Sequence, residues 1–160
     1  MLILTAFLLV CLQAQQPEAA KAALKISGDI LSPLTLSAED IRAMPRGSVQ
    51  FQDQGVTKKY EGVWLHDVLR KAGAPMGNEA HGKALATYVV ATARDGYQVV
   101  FSLGELDPAF RDNEILLADT IDGQPLSERQ GPFRIVVPHD KRGARSVRML
   151  NEIQVVRLGK

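Results

Sequence analysis

The residues best suited to chemistry lie in Gly131–Leu150, GPFRIVVPHDKRGARSVRML. An apolar run from Phe133 to Val137 stops at Pro138, and a charged, glycine-containing loop follows from His139 to Arg145. Lys141, Arg142, Arg145 and Arg148 stand close together just beyond this run, which reads as a buried strand. A loop held between sheet elements aims such donors at an anionic or polar ligand, since guanidinium geometry matches phosphate and carboxylate. His139 either donates to that ligand or makes an ordinary loop hydrogen bond. Trp64, the only tryptophan, either stacks on a flat heterocycle or packs at a rim. Tyr97 either reaches a cleft with its hydroxyl or joins the core beside Val99.

Several classes of function are excluded by what surrounds these residues. With 19 basic and 18 acidic side chains the chain has no broad electrostatic footprint for nucleic acid, so any basic site is local. No glycine-rich phosphate loop leads from a strand into a helix. Ser146 and Ser127 lack a histidine base in a nucleophile-elbow context. Asp107, Asp112 and Glu114 do not follow calcium-loop spacing and read as a solvated face. His66 and His81 have no acid or histidine at ligand spacing and read as surface residues. The opening MLILTAFLLVCLQA, residues 1–14, reads as a signal peptide extending at most to about residue 22, which predicts a periplasmic or secreted protein. The alternative is an N-terminal membrane anchor. Removal of the signal peptide takes away Cys11, the only cysteine, and with it any disulfide, thiolate metal site or cysteine nucleophile.

The elements that must position the loop are short. Leu24–Ile26 and Leu34–Leu36 read as strands, and Ser37 with Asp40 reads as a capping box opening a helix that Pro45 ends. Ser48–Gln54 alternates as a half-buried strand, and Tyr60–Val63 returns beside it. Leu65, Val68, Leu69 and Ala72 have helical spacing, with Gly73 at the left-handed stop. Tyr88–Ala93 and Tyr97–Leu103 flank the Asp95-Gly96 turn. Ile115–Thr120 is a strand, Asp122-Gly123 a turn, and Ile153, Val155 and Leu158 close the chain as an alternating strand. Many short strands with a few short helices predict a single α+β domain over residues 24–158 with mixed β-sheets.

Four blocks in order carry a family resemblance: YEGVWLHDVLRKAG, ARDGY, EILLADTIDGQPLSERQGPFRIVVP and GARSVRML. Together they resemble the molybdopterin-binding domain of the sulfite oxidase family. The resemblance implies an α+β fold holding a pyranopterin in a cleft, with molybdenum ligated by one protein cysteine at the end of the strand matching Val49–Gln54. This chain has VQFQDQG there, so Gln52 and Asp53 occupy the ligand region and molybdenum is not expected. The family's active-site aromatic corresponds to Asp119, whose carboxylate either accepts the guanidine-like edge of a pterin or caps the Ile121–Gly123 turn. Arg145 and Ser146 match the family's pterin-holding loop, while Arg148 and Met149 replace the usual lysine and tryptophan. The resemblance implies an exported binding protein for a reduced pterin or molybdopterin-like ligand. Its expected role is a non-catalytic sensor whose partner is the periplasmic domain of a membrane signalling protein. The alternative is a molybdopterin-dependent oxidoreductase or an accessory subunit of one.

Overall fold

The computed structural model describes residues 23–112 and 114–159; the segment read as a signal peptide lies outside them. The described residues form two five-stranded sheets. The first has the order β2 (Leu34–Ser37), β1 (Ala23–Gly28), β10 (Leu150–Arg157), β5 (Thr87–Ala93), β6 (Gln98–Ser102). Its one parallel pair is β1 with β10, which ties the start of the described chain to its end. The second sheet has the order β3 (Gly47–Asp53), β4 (Val56–Trp64), β7 (Leu116–Ile121), β8 (Gln124–Pro125), and β9 (Arg134–Val136) also pairs with β7. The expected mixed α+β architecture is present.

Local sequence explains where the helices begin and end. In α1 (Ala38–Arg42) the Ser37 hydroxyl accepts from the Asp40 amide at 3.1 Å, and the Asp40 carboxylate accepts from the Ser37 amide at 2.8 Å. This is the capping box expected from the sequence. Ser37→Ala is expected to cost about 1 kcal/mol, read as a lower urea midpoint. α2 (Leu65–Lys71) turns Leu65, Val68 and Leu69 inward, and Gly73 ends it at φ +78, where its amide donates to the Arg70 carbonyl at 2.9 Å. A short third helix, α3 (Leu103–Leu106), is capped by Ser102.

The main core packs inward-facing residues of the first sheet, such as Leu24, Val89, Phe101 and Ile153, against α2 and one face of the second sheet. The other face of the second sheet has its own smaller core of Val49, Phe51, Tyr60, Leu116, Ala118 and Val136. Leu116 and Leu117 therefore point into different cores, and β7 is apolar on both faces over Leu116–Ala118. Such a strand loses the polar alternation of a half-exposed one. β4 runs longer than the expected Tyr60–Val63 because Val56–Lys59 pair with β3, while Tyr60–Trp64 pair with β7. At the Glu61/Gly62 bulge the strand comes close to β7: a Cβ on Gly62 would lie 2.0 Å from the Leu117 carbonyl oxygen.

Candidate functional site

The basic loop is rigidly held, and the arginines within it differ in how far they are committed. Residues 143–145 form a single 3-10 turn. The Tyr97 hydroxyl donates to the Ala144 carbonyl at 2.8 Å, and the buried Ser146 hydroxyl accepts from the Val137 amide at 3.0 Å. Arg145 donates to both Asp140 oxygens at 2.8 and 2.7 Å and to Glu105 at 2.6 Å, with its guanidinium 5.3 Å from the Phe101 ring centre. The Asp140 hydrogen bonds, reinforced by Glu105, raise its pKa despite opposing burial. Arg145 is thus a clip between the loop and α3. Arg142 and His139 are exposed and do not line the cleft described next.

That cleft, about 350 Å³, opens where the β5–β6 turn meets the loop before β10. Arg129, Arg148, Asp95, Tyr97, Ser146 and Met149 line it. Arg148 reaches Asp53 through one terminal nitrogen, at 3.1 Å to Oδ1 and 3.5 Å to Oδ2, and its side chain is 40% exposed. Asp53 engages only that nitrogen, which leaves the guanidinium able to take a further partner. Met149, at φ +50, donates its amide to the Gln130 carbonyl at 2.9 Å, which closes the cleft wall.

Behind Arg148 lies a buried network that sequence reasoning missed. Arg134 is 1% exposed, and one of its nitrogens donates to Asp53 at 2.9 Å, to the Tyr60 hydroxyl at 2.6 Å and to Gln130 at 3.2 Å. Its guanidinium also lies 4.8 Å from the Tyr60 ring centre and 5.6 Å from that of Phe51. Asp53 is the shared counter-ion of Arg134 and Arg148. Burial would raise its pKa, but the Arg134 hydrogen bond and charge, the Tyr60 hydroxyl and Arg148 together hold it below the usual carboxylate range. Burial pushes the Tyr60 phenol up to about 12, so it stays protonated and donates to Asp53 at 3.1 Å. The visible signal was Arg134 itself. A lone arginine in the apolar run FRIVV demands a buried acceptor.

The other expected site residues are placed elsewhere. Asp119 is buried on β7, and its two oxygens accept from Arg46 at 2.6 and 2.8 Å and from the Thr120 hydroxyl at 2.7 Å. Burial opposes ionisation there, yet the Arg46 and Thr120 hydrogen bonds keep its pKa low. Its carboxylate is filled by Arg46, and it lines neither the cleft nor the Ile121–Gly123 turn. Asp119→Asn is expected to cost about 1.5–3 kcal/mol, the range for a hydrogen bond to a charged group, measurable by urea unfolding. Trp64 ends β4, while Asp53 pairs with Val56 at its beginning, so the indole is a strand's length from the cleft. Gln52 is exposed on β3. The structure therefore gathers Arg148, Ser146 and Tyr97 at one cleft with Asp53 behind them. It leaves Trp64 and Asp119 outside.

The donors near Asp53 suit an anion better than a metal. Both Asp53 oxygens are already in ion pairs, Gln52 points outward, and no thiolate is present among the described residues. Molybdenum prefers a soft sulfur ligand, which this group does not supply.

Comparison with known proteins follows the same lines. Residues 12–158 match the family model described as oxidoreductase molybdopterin binding domain. The uncharacterized oxidoreductase YuiH of Bacillus subtilis (strain 168) is 31% identical over 123 residues, covering 72% of this chain and 56% of that protein. The sulfane dehydrogenase SoxCD of Paracoccus pantotrophus superposes with a TM-score of 0.66 at 22% identity, over 87% of this chain and 39% of that one. This last likeness is one of fold. The chain spans about half or less of the length of these relatives.

Proposed function

We propose, for a chain that belongs to the oxidoreductase molybdopterin binding domain family, that it binds an anionic pterin in the Arg148 cleft without holding molybdenum through a protein ligand. The observation that carries this reading is the commitment of Asp53. In the region where the resemblance implies a metal-ligating cysteine, a carboxylate is neutralised by Arg134 and Arg148 instead. Such a carboxylate is a poor metal donor, while Arg148 and Arg129 beside it suit an anionic tail. Asp95 supplies a carboxylate at the same cleft for the amino edge of the heterocycle. Ser146, Tyr97 and Arg145 keep the wall rigid, so little ordering is needed when the ligand enters.

Within this reading the protein is an exported sensor that reports pterin occupancy to the periplasmic domain of a membrane signalling protein. That part rests on the apolar opening, residues 1–14, and on the absent thiol. The competing reading is an oxidoreductase or an accessory subunit, favoured by the oxidoreductase name of the YuiH relative. Protein purified from a host that makes molybdopterin separates the two. Oxidised pterin fluorescence released on denaturation, with molybdenum far below one per chain by elemental mass spectrometry, is the result expected. Stoichiometric molybdenum overturns the metal-free reading, and release of no pterin overturns the pterin ligand.

A further inference from the structure

At the end of β4 far from Asp53, the Trp64 and His66 rings lie parallel, with an interplanar angle of 4° and centres 6.4 Å apart. Together with Pro108, Asp112 and Glu114 they line a cavity of about 310 Å³, which shares no residue with the cleft. The indole is fixed from behind. A Cβ on Gly47 would lie 2.5 Å from its ring, so the glycine backbone forms a flat seat for it. Pro108 follows Asp107, which is buried and accepts from the Gly77 and Ala109 amides, while the Phe110 amide donates to the Asp107 carbonyl at 3.0 Å. The indole and the Pro108 turn are thus both held by the fold.

The chemistry of this lining has one sign. Asp112 and Glu114 are exposed and form no ion pair with any described residue. Of the neighbouring cations, Arg70 is paired with Asp67 outside the cavity, and Arg111 does not line it. Burial lowers the pKa of His66 and outweighs the Asp67 carboxylate 3.4 Å away, so the imidazole enters the stack as a neutral ring near pH 7. An inorganic cation is a poor fit, because no group of three or more potential metal ligands occurs among the described residues. Aromatic rings and carboxylates without an ion-pair partner lining one cavity instead favour a cation that carries its own apolar surface.

We propose that this cavity binds an organic cation of the alkylammonium class, seated against the Trp64–His66 stack and neutralised by Asp112 and Glu114. The cation is either a free quaternary amine or a lysine side chain presented by a partner. The site is independent of the pterin reading and stands or falls without it.

Trp64 is the chain's only tryptophan, so its emission reports this cavity directly. Choline titrated into the intact protein at constant ionic strength is expected to produce a saturable emission change, with calorimetry of the same titration as a second readout. The affinity expected is in the millimolar range, and uncharged 3,3-dimethylbutanol is expected to bind at least about tenfold more weakly. The Asp112→Asn/Glu114→Gln double variant changes two exposed side chains and is expected to weaken choline about fivefold or more in calorimetry, with the thermal stability of the free protein unchanged. Saturation by N-acetyl-lysine amide as well as choline assigns the site to a partner's side chain, and saturation by choline alone assigns it to a free amine. No saturable response by either readout up to about 100 mM overturns the proposal. So does equal binding of the neutral alcohol, or undiminished choline binding by the double variant.

Discussion

Asp53→Ala is expected to destabilise the fold by about 3–5 kcal/mol, the cost of stranding one member of a buried ion pair. The charge left behind is that of Arg134, which is 1% exposed and whose only carboxylate partner among the described residues is Asp53. Tyr60 and Gln130 still accept from it, but neither carries a compensating charge. The Arg134 Nε is buried without a partner already, so the site has no slack for a further loss. In a domain of this size such a loss lowers the melting temperature by roughly 10 °C. Adding Arg134→Met to Asp53→Ala is expected to recover part of it, since the unpaired charge goes and an apolar side chain fills the space between Phe51 and Tyr60. A double variant no more stable than the single one would show that packing, and not the stranded charge, sets the cost.

The same pair gives a pH dependence with a definite sign. Asp53 has a folded pKa below its unfolded value of about 3.9, so its contribution is complete above that value and is lost as pH falls through the folded pKa. Wild-type stability is expected to fall on acidification below about pH 4, with Asp119 contributing in the same direction because its pKa is also lowered. Asp53→Ala lacks the Asp53 share, so its acid branch is expected to be shallower. Parallel acid branches in the two proteins would mean that Asp53 is not held ionised by Arg134.

Features within a few residues of one another were legible in the sequence, and long-range pairings were not. The capping box needs only Ser37 and Asp40, and the α2 stop needs only Gly73; each is a local rule about backbone donors and left-handed φ. The Arg134–Asp53 and Arg46–Asp119 pairs join residues 81 and 73 positions apart, brought together by the second sheet. A sequence shows that a buried arginine needs a carboxylate but not which one. Asp119 illustrates the consequence. The resemblance put Asp119 where the family has its active-site aromatic and so suggested a ligand contact, yet Arg46, next to Pro45 in the chain, takes both of its oxygens. The basic loop was visible as a unit, but the division between a committed Arg145 and an available Arg148 depends on Asp140, Glu105 and Asp53 in three dimensions.

That division makes Arg148 the residue whose loss should affect binding most and stability least. Arg148→Ala is expected to weaken retention of a phosphorylated pterin by about 1.5–3 kcal/mol, tenfold or more, because one charge-assisted contact disappears. Neopterin phosphate followed by pterin fluorescence measures this, and unphosphorylated neopterin separates the anionic tail from the ring; only the phosphate ester should show the full loss. Stability should change little, since Arg148 is 40% exposed and Asp53 keeps its bond to Arg134. Arg148→Lys keeps the charge but loses the planar fork that can span Asp53 and a ligand oxygen together, so binding is expected to recover only in part. Arg145→Ala should lower affinity by a different route, loosening the loop from Asp140 and Glu105 and disordering the cleft wall. Hydrogen exchange of residues 139–146 distinguishes the two, with faster exchange in the Arg145 variant and wild-type rates in the Arg148 variant. If Arg148→Ala retains the phosphate ester as tightly as wild type, the cleft is not where the anion sits.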